Sequence, residues 1–114
     1  MITLYGIKNC DTVKKARKHL EADHTDYQFH DVRADGLTLE QVRNWQSRID
    51  WTKLVNKRST TWKQLDEAQR DSLSEQTAAD LLVANPTLLK RPVIDTSDTL
   101  LVGYNANDVT ALKN

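Results

Sequence analysis

The order of elements along the chain predicts an α/β fold in which a long helical segment interrupts a small sheet. Two β-prone runs separated by a helical stretch begin the chain, helical periodicity fills about residues 33–85, and two β-prone runs and a short helix end it. A strand, a helix and a strand in succession are typical of a parallel β-α-β unit. We therefore expect one domain over residues 1–114, with its core in residues 1–32 and 86–114 and a helical insert at about 33–85.

The first strand and helix are expected on either side of a cysteine. Residues 2–5 are apolar and β-prone, and apolar side chains recur at helical spacing over about residues 11–22. Asp11 and Thr12 are good cap residues, so the helix should begin directly after Cys10. The sequence thus predicts a thiol at the N-terminal end of a helix.

A second strand at residues 27–32 should complete the β-α-β unit, and a helical segment should follow it. The residues from Thr38 and from Thr77 resemble capping boxes, which predicts that helices start there. Three apolar stripes mark the helices of this segment: Leu39, Val42, Trp45 and Ile49; Trp62 and Leu65; Ala78, Leu81 and Leu82.

The last part of the chain predicts a hairpin and a helix. Residues 93–94 and 100–102 are short β-prone runs, and the polar residues between them are typical of a hairpin turn. A final short helix is expected at residues 107–112. Strands at both ends of the chain, with helices between them, complete the predicted α/β domain.

Composition and charge exclude several classes of protein. The 114 residues include 16 Lys plus Arg and 16 Asp plus Glu, so the formal net charge is zero. A balanced charge gives no general electrostatic attraction for DNA or RNA. No apolar run approaches the roughly 20 residues that span a bilayer, and the first residues lack the basic start of a signal peptide. We therefore expect a cytoplasmic protein with no membrane and no direct nucleic-acid partner.

The sequence contains no metal-binding, disulfide or phosphate-binding motif. Its single cysteine, Cys10, is too few for an intramolecular disulfide or a thiolate zinc site. The three histidines lack the spacing that puts two imidazoles on one helix face, and the three glycines form no phosphate-binding pattern. We expect no metal and no bound cofactor.

The predicted position of Cys10 suits a reactive thiol. A helix N-terminus has free N–H groups and a partial positive charge, which favour the thiolate over the thiol. Five positive side chains and one negative one lie between Lys8 and Lys18, and this local field could serve an anion. The alternatives are a buried packing cysteine, which is a common role for a thiol, and a solvated helix face for the lysines.

Two arginines interrupt apolar segments and are candidate anion ligands. Arg58 follows Asn56-Lys57, and Arg91 precedes Pro92 at the expected start of a strand. A guanidinium is the preferred bidentate partner of oxyanions and carboxylates. Surface arginines are also common, and a proline before a strand is an ordinary strand start.

Several of these segments together resemble the ArsC/Spx family, and most closely its YffB-like branch. The segments are LYGIKNC at residues 4–10, the KKAR that follows it, LLKRPVI at residues 88–94 and VGYN at residues 102–105. The resemblance spans the whole chain, including the helical insert. It implies a thioredoxin-like fold with a helical insertion, in which Pro92 is a cis proline that faces the cysteine loop.

The resemblance also implies roles for individual residues. In the arsenate reductases of this family the cysteine after the first strand attacks the oxyanion and three arginines hold it. Cys10 and Arg91 match those positions, and Arg58 falls in the stretch that holds another arginine. Tyr104 stands where the third arginine is expected, which argues against specificity for arsenate. Val13 replaces the second cysteine of the Cys-x-x-Cys switch found in many Spx proteins.

These residues lead to a first hypothesis, a glutathione-dependent thiol oxidoreductase with Cys10 as its nucleophile. A single thiol that forms a covalent adduct needs an outside thiol to resolve it. Glutathione is the obvious cytosolic candidate, with glutaredoxin as a further one. Its carboxylates would suit Lys8, Arg58 and Arg91, and its peptide part would pair with the backbone before Pro92.

Two other hypotheses stay open. One is an Spx-like regulator that binds the α subunit of RNA polymerase without catalysis, which Tyr104 and the Arg91-Pro92 pair fit equally well. The missing cysteine pair, and an expected end of the chain at Asn114 without the longer Spx tail, count against it. The other is true arsenate reduction, which uses the same nucleophile on a different substrate.

Overall fold

A computed structural model of the chain describes residues 2–112, which divide into two units. The first, here called the sheet unit, consists of Met1–Asp35 and Arg91–Asn114, and the second, the helical unit, is Gly36–Lys90. The helical unit therefore ends five residues later than the insert expected at about 33–85. No helix between residues 2 and 112 has both the length and the hydropathy that a bilayer crossing needs.

The sheet unit contains a four-stranded sheet with the order β2-β1-β3-β4. Its strands are β1 (Ile2–Gly6), β2 (Tyr27–Asp31), β3 (Val93–Asp95) and β4 (Leu100–Val102). Strand β1 is parallel to β2 and antiparallel to β3, and β3 is antiparallel to β4. The predicted parallel β-α-β unit and the predicted hairpin are both confirmed.

Two helices belong to the sheet unit, α1 (Asp11–Ala22) and α6 (Ala106–Thr110). Helix α1 begins where the sequence predicts, but its N-cap residue is Cys10. The predicted cap roles of Asp11 and Thr12 are therefore wrong, because both residues already lie in the first helical turn. Helix α6 is shorter than its predicted range, and Asn105 caps it by accepting a hydrogen bond from the backbone N–H of Asp108.

The core of the sheet unit lies between the sheet and α1. Val13 packs so closely on β1 that a Cβ added at Gly6 would lie 2.6 Å from Cγ2 of Val13. Glycine is thus the residue that lets the first turn of α1 approach the end of β1. The buried side chains of this core are Ile2, Leu4, Val13, Ala16, Leu20, Ile94, Val109 and Leu112.

The helical unit consists of four helices and two short 3-10 turns. The helices are α2 (Leu39–Gln46), α3 (Thr60–Gln64), α4 (Glu67–Asp71) and α5 (Glu75–Ala84), and the 3-10 turns are Trp51–Leu54 and Pro86–Leu88. The second turn belongs to this unit because the backbone N–H of Asn56 donates to Leu88 and that of Lys90 donates to Leu54. A β-bridge between Val55 and Leu89 lies between these two bonds.

One of the two predicted helix starts in this unit is confirmed and the other is wrong. Thr38 caps α2, with Gln41 as the third residue of a complete capping box. Helix α5 begins earlier than predicted, because its N-cap is Ser74 and Thr77 is the third residue of that box. The hydroxyl of Thr77 accepts from the backbone N–H of Ser74, so a second box starting at Thr77 does not form.

Candidate active site

Cys10 lies at the junction of the loop after β1 with helix α1. Its backbone is extended, with φ −91° and ψ 122°, and its carbonyl accepts the first helical hydrogen bond, from Lys14 at 3.0 Å. Its N–H donates to the carbonyl of Ile7 at 3.3 Å, which closes the turn that precedes the helix. The side chain makes no capping hydrogen bond and is half-buried against the core. A thiol so placed is partly open to solvent at the positive end of a helix.

Asp31 at the end of β2 fixes the loop that leads to Cys10. Its carboxylate accepts a hydrogen bond from the backbone N–H of Lys8 at 3.3 Å, and from those of Arg33 and Ala34 at 2.9 and 3.0 Å. Burial by itself would raise the pKa of Asp31, but these three hydrogen bonds and the charge of Lys8 bring the pKa below its ordinary value. No motif in the sequence singled out Asp31, although an aspartate that begins a turn often accepts such bonds.

Arg91 and Pro92 lie at the same end of the sheet as the cysteine loop. The register pairs Tyr5 with Val93, so the residues before β3 lie level with the end of β1. The bond between Arg91 and Pro92 is cis, as the family resemblance implies. Pro92 is buried and its carbonyl accepts from the N–H of Gly103 at 2.8 Å. Arg91 is half-buried, with its Nε out of contact with solvent.

Tyr104 is hydrogen-bonded to a residue near the C-terminal end of α1, the end opposite Cys10. Its hydroxyl is hydrogen-bonded to Nδ1 of His19 at 2.8 Å, and the two rings meet edge to face at 5.9 Å. Nε2 of His19 lies 2.9 Å from the hydroxyl of Thr110 and 3.2 Å from a carboxylate oxygen of Asp23. At the helical rise of 1.5 Å per residue, His19 lies about 13 Å along the axis from Cys10. The structure thus places the Tyr104 hydroxyl at His19, nine residues along α1 from Cys10.

Arg17, one of the basic residues after Cys10, is part of the fold. Its guanidinium lies 4.1 Å from the centre of the Phe29 ring, and its Nε donates to the hydroxyl of Tyr27 at 3.0 Å. Tyr27 in turn donates to the carboxylate of Glu21 at 2.6 Å. Burial raises the pKa of Tyr27; the bond from Arg17 opposes this shift and the bond to Glu21 adds to it. Arg17 is therefore held by packing and hydrogen bonding within the sheet unit, unlike the exposed lysines of the same helix.

The remaining predicted site residues are divided between the two units. Lys8 is exposed in the cysteine loop of the sheet unit, so Lys8, Cys10 and the Arg91-Pro92 pair all belong to one end of one sheet. Arg58 is an exposed residue of the helical unit, where its N–H donates to the side chain of Asn56 at 3.0 Å. Among residues 2–112 no cluster of three histidine, cysteine or carboxylate side chains is arranged to hold a metal ion.

Known proteins resemble this chain in both sequence and fold. The model of the ArsC family matches residues 5–112. The Global transcriptional regulator Spx of Listeria innocua is 32% identical over 111 residues, a match that covers 96% of this chain and 84% of that protein.

Solved structures extend the comparison to the fold. A protein named YFFB has 40% sequence identity and a TM-score of 0.93, and the match covers 97% of each chain. An arsenate reductase (ArsC) related protein of Brucella melitensis has 39% identity and a TM-score of 0.76, over 96% of this chain and 92% of that one. These similarities confirm the predicted thioredoxin-like fold with a helical insertion.

Proposed function

This chain belongs to the ArsC family, and we propose that it is a thiol oxidoreductase with Cys10 as nucleophile and glutathione as the second thiol. The observation that supports the proposal most is the position of the half-buried thiol at the N-cap of α1, next to the positively polarised end of the helix. The sequence contains no other cysteine, so the resolving thiol comes from another molecule.

The chemistry needs three thiol-disulfide exchanges. The Cys10 thiolate attacks one sulfur of a substrate disulfide, the S–S bond breaks, and the second sulfur leaves as a thiolate that takes up a proton. A glutathione thiolate then attacks the sulfur that Cys10 holds, which releases Cys10 as a thiolate. A second glutathione reduces the mixed disulfide that results. Two glutathione molecules thus supply the two electrons and leave as oxidised glutathione.

The residues around Cys10 supply groups that suit glutathione. Lys8 and Arg91 offer positive charges for its two carboxylates at the end of the sheet that holds the thiol. The main chain of Arg91, next to the cis Pro92, is our candidate for pairing with the peptide part of the substrate. Arg58 stays a prediction from the family motif, and for Tyr104, whose hydroxyl is bound to His19, we propose a role in the fold rather than in substrate binding. A cytoplasmic location, with its supply of reduced glutathione, fits this reaction.

Reduction of an oxyanion is a second substrate option at the same thiol, favoured by the similarity to the arsenate reductase related protein of Brucella melitensis. Arsenate would bond to the sulfur of Cys10 with loss of water, and two glutathione thiols would supply the electrons that reduce arsenic. Without the third arginine, oxyanion binding should be weaker by about 1.5 to 3 kcal/mol. This option would be favoured if arsenate protected Cys10 from alkylation and oxidised glutathione did not.

The main proposal is tested by turnover with glutathione and a disulfide substrate. We expect Cys10→Ser to abolish turnover, with its fold checked by circular dichroism, while the wild type forms a mixed disulfide that mass spectrometry detects. Alkylation of the folded wild type at neutral pH should also be faster than that of the unfolded chain, because unfolding removes the helix. Turnover in the serine variant would contradict the proposal.

A regulator without catalysis is the alternative that the Spx similarity favours, since it covers nearly the whole chain. Such a protein would bind the α subunit of RNA polymerase with or without its thiol. The test is a direct binding measurement between the purified chain and purified α subunit, repeated with Cys10→Ser. Binding by both forms, together with no turnover on any disulfide, would replace the oxidoreductase by the regulator.

A further inference from the structure

Three exposed lysines form one face of helix α1, directly after Cys10. The lysine face consists of Lys14, Lys15 and Lys18, which are all exposed. At 100° per residue they span about 100° of arc. They lie opposite the buried side chains of the same helix, Val13, Ala16 and Leu20.

The charges of the lysine face are not neutralised within the described part of the chain. None of the three lysines has an ion-pair partner among residues 2–112. Asp11 is three and four residues before Lys14 and Lys15, which are suitable spacings for ion pairs, yet none forms. Positive charges in the first turns also oppose the helix dipole. The lysine face thus gains nothing from intramolecular pairing, in contrast to Arg17, which packs on Phe29.

We propose that the lysine face docks an acidic segment of a protein whose cysteine exchanges with Cys10. The inference rests on the proposed function, and it identifies the substrate as a protein thiol or disulfide with acidic neighbours. The Cα–Cβ bonds of a helix tilt toward its N-terminus, so the three lysine side chains leave the helix in the direction of the end that holds Cys10. A partner cysteine that reaches the thiol would then have its acidic residues beside the lysines.

The length of the lysine face favours a protein over free glutathione as its occupant. Lys18 is eight residues after Cys10, or about 12 Å along the helix. Glutathione is a tripeptide with its thiol on the central residue, so each of its arms, the longer γ-glutamyl arm included, extends less than about 10 Å from that residue. It therefore meets the residues nearest Cys10, and a longer acidic segment is needed to meet the whole face.

Charge and chemistry argue against nucleic acid as the occupant. The formal net charge of the chain is zero, and the three lysines adjoin a nucleophilic thiol, for which DNA and RNA have no reaction partner.

A second copy of the chain is another acidic candidate, since its helical unit has an exposed acidic group. That group consists of Asp66, Glu67, Asp71, Glu75 and Asp80.

When the partner cysteine is linked to glutathione, the atoms and electrons of the exchange with Cys10 balance. The Cys10 thiolate attacks the glutathione sulfur, the partner sulfur leaves as a thiolate and takes up a proton, and Cys10 becomes linked to glutathione. A second glutathione thiolate attacks that linkage, which restores the Cys10 thiolate and forms oxidised glutathione. The net change is reduction of the partner cysteine and oxidation of one glutathione.

The first test measures docking without thiol chemistry. Short labelled peptides without cysteine, rich in Glu, in Gln or in Lys, are titrated with the Cys10→Ser protein and followed by fluorescence anisotropy. We expect the Glu peptide to bind at least about tenfold more tightly than the Gln peptide at low salt, and salt to weaken this preference. The combined variant Lys14→Gln, Lys15→Gln, Lys18→Gln should lose the preference.

The matched control removes the same charge from the other unit. Its substitutions are Lys53→Gln, Lys63→Gln and Lys90→Gln, at three lysines that are also exposed. This control should keep the preference for the Glu peptide. Equal binding of the Glu and Gln peptides, or equal losses in the two triple variants, would overturn the proposal. The proposal would also be overturned if an oligonucleotide bound the lysine face more tightly than the Glu peptide does. Salt-sensitive dimerisation that is lost only in the triple α1 lysine variant would overturn it as well.

The second test measures exchange with the wild-type thiol. Each peptide receives one cysteine linked to glutathione, and its reduction is followed with glutathione in excess. The acidic peptide should react about tenfold faster than the neutral one, and in the triple α1 lysine variant the ratio of the two rates should fall to about one. No reaction with any peptide, despite docking in the first test, would contradict the proposed function and leave the docking face supported. Equal rates for all peptides would overturn the docking proposal and leave the function supported.

Discussion

Val13 fills the space that a side chain on Gly6 would need. A Cβ at Gly6 would lie 2.6 Å from one methyl carbon of Val13 and 2.9 Å from the other, and both atoms belong to a fully buried side chain. Because Gly6 ends β1 and Val13 is in the first turn of α1, this contact sets how closely the helix approaches the strand. It thereby sets the position of Cys10 between them.

We expect Gly6→Ala to lower the free energy of unfolding by about 1 to 3 kcal/mol, because the new methyl group overpacks the contact with Val13. Urea unfolding measures the change. In a Val13→Ala background, where both obstructing methyl groups are gone, the same substitution should cost less than about 1 kcal/mol. Equal costs in the two backgrounds would show that the contact does not exclude a side chain at Gly6.

Tyr104→Phe should lower stability and leave the chemistry of Cys10 unchanged. The substitution removes the hydrogen bond to His19, a loss of about 0.5 to 1.5 kcal/mol by denaturant unfolding. The rate of reaction with oxidised glutathione should stay the same, because the hydroxyl is bound to His19, whose position in α1 is about 13 Å along the axis from that of Cys10. A slower reaction at unchanged stability would restore Tyr104 as a substrate ligand.

Asp31→Ala should lower the free energy of unfolding at neutral pH by about 1 kcal/mol, the loss typical of removing a helix cap. The loss should be smaller in acid. The folded state lowers the pKa of Asp31 below its ordinary value of 3.8. A carboxyl of this kind stabilises the fold above its unfolded pKa, and its contribution is lost as the pH falls through 3.8 and then through the folded pKa. Unfolding measured from neutral pH down to below 3.8 should show the gap to wild type narrowing.

The control for Asp31 is Asp98→Ala, at an exposed aspartate in the β3–β4 turn whose carboxylate accepts no hydrogen bond from the described residues. This variant should differ little from wild type at every pH. A gap between wild type and Asp31→Ala that stays constant into acid would mean that the charge of Asp31 is not what stabilises the loop.

Arg91→Ala should raise the concentration of glutathione needed for half-maximal turnover by about tenfold, the loss expected for one charged hydrogen-bonding partner. Steady-state kinetics with varied glutathione measure the change. Lys90→Ala, at the exposed neighbouring position, serves as the control and should leave the requirement unchanged. An unaltered glutathione requirement in Arg91→Ala would remove the guanidinium from the binding site.

Features that depend on neighbouring residues were predictable from the sequence. The strand before Cys10, the start of α1 and the capping box at Thr38 follow from local pattern, and the structure has all three. The start of α5 was missed because two overlapping hydroxyl residues, Ser74 and Thr77, both suit a cap, and their own hydrogen bonds decide between them.

Features that depend on distant residues were not predictable in the same way. The sequence assigns Arg17 to a basic cluster, and only the fold brings it over Phe29. Tyr104 and His19 are 85 residues apart, so no local pattern could indicate their hydrogen bond. The family resemblance did predict one non-local feature, the cis bond before Pro92, because that motif belongs to the fold as a whole.

The position of β1 between β2 and β3 has a consequence for folding during synthesis of the chain on the ribosome. Strand β2 begins about twenty residues after β1 ends, whereas β3 exists only once Val93–Asp95 has been synthesised. The helical unit is continuous in sequence and is complete before then. Because pairing of distant segments is slow, the sheet closes last. The cysteine loop therefore acquires its β3 neighbour only after the whole helical unit has been synthesised.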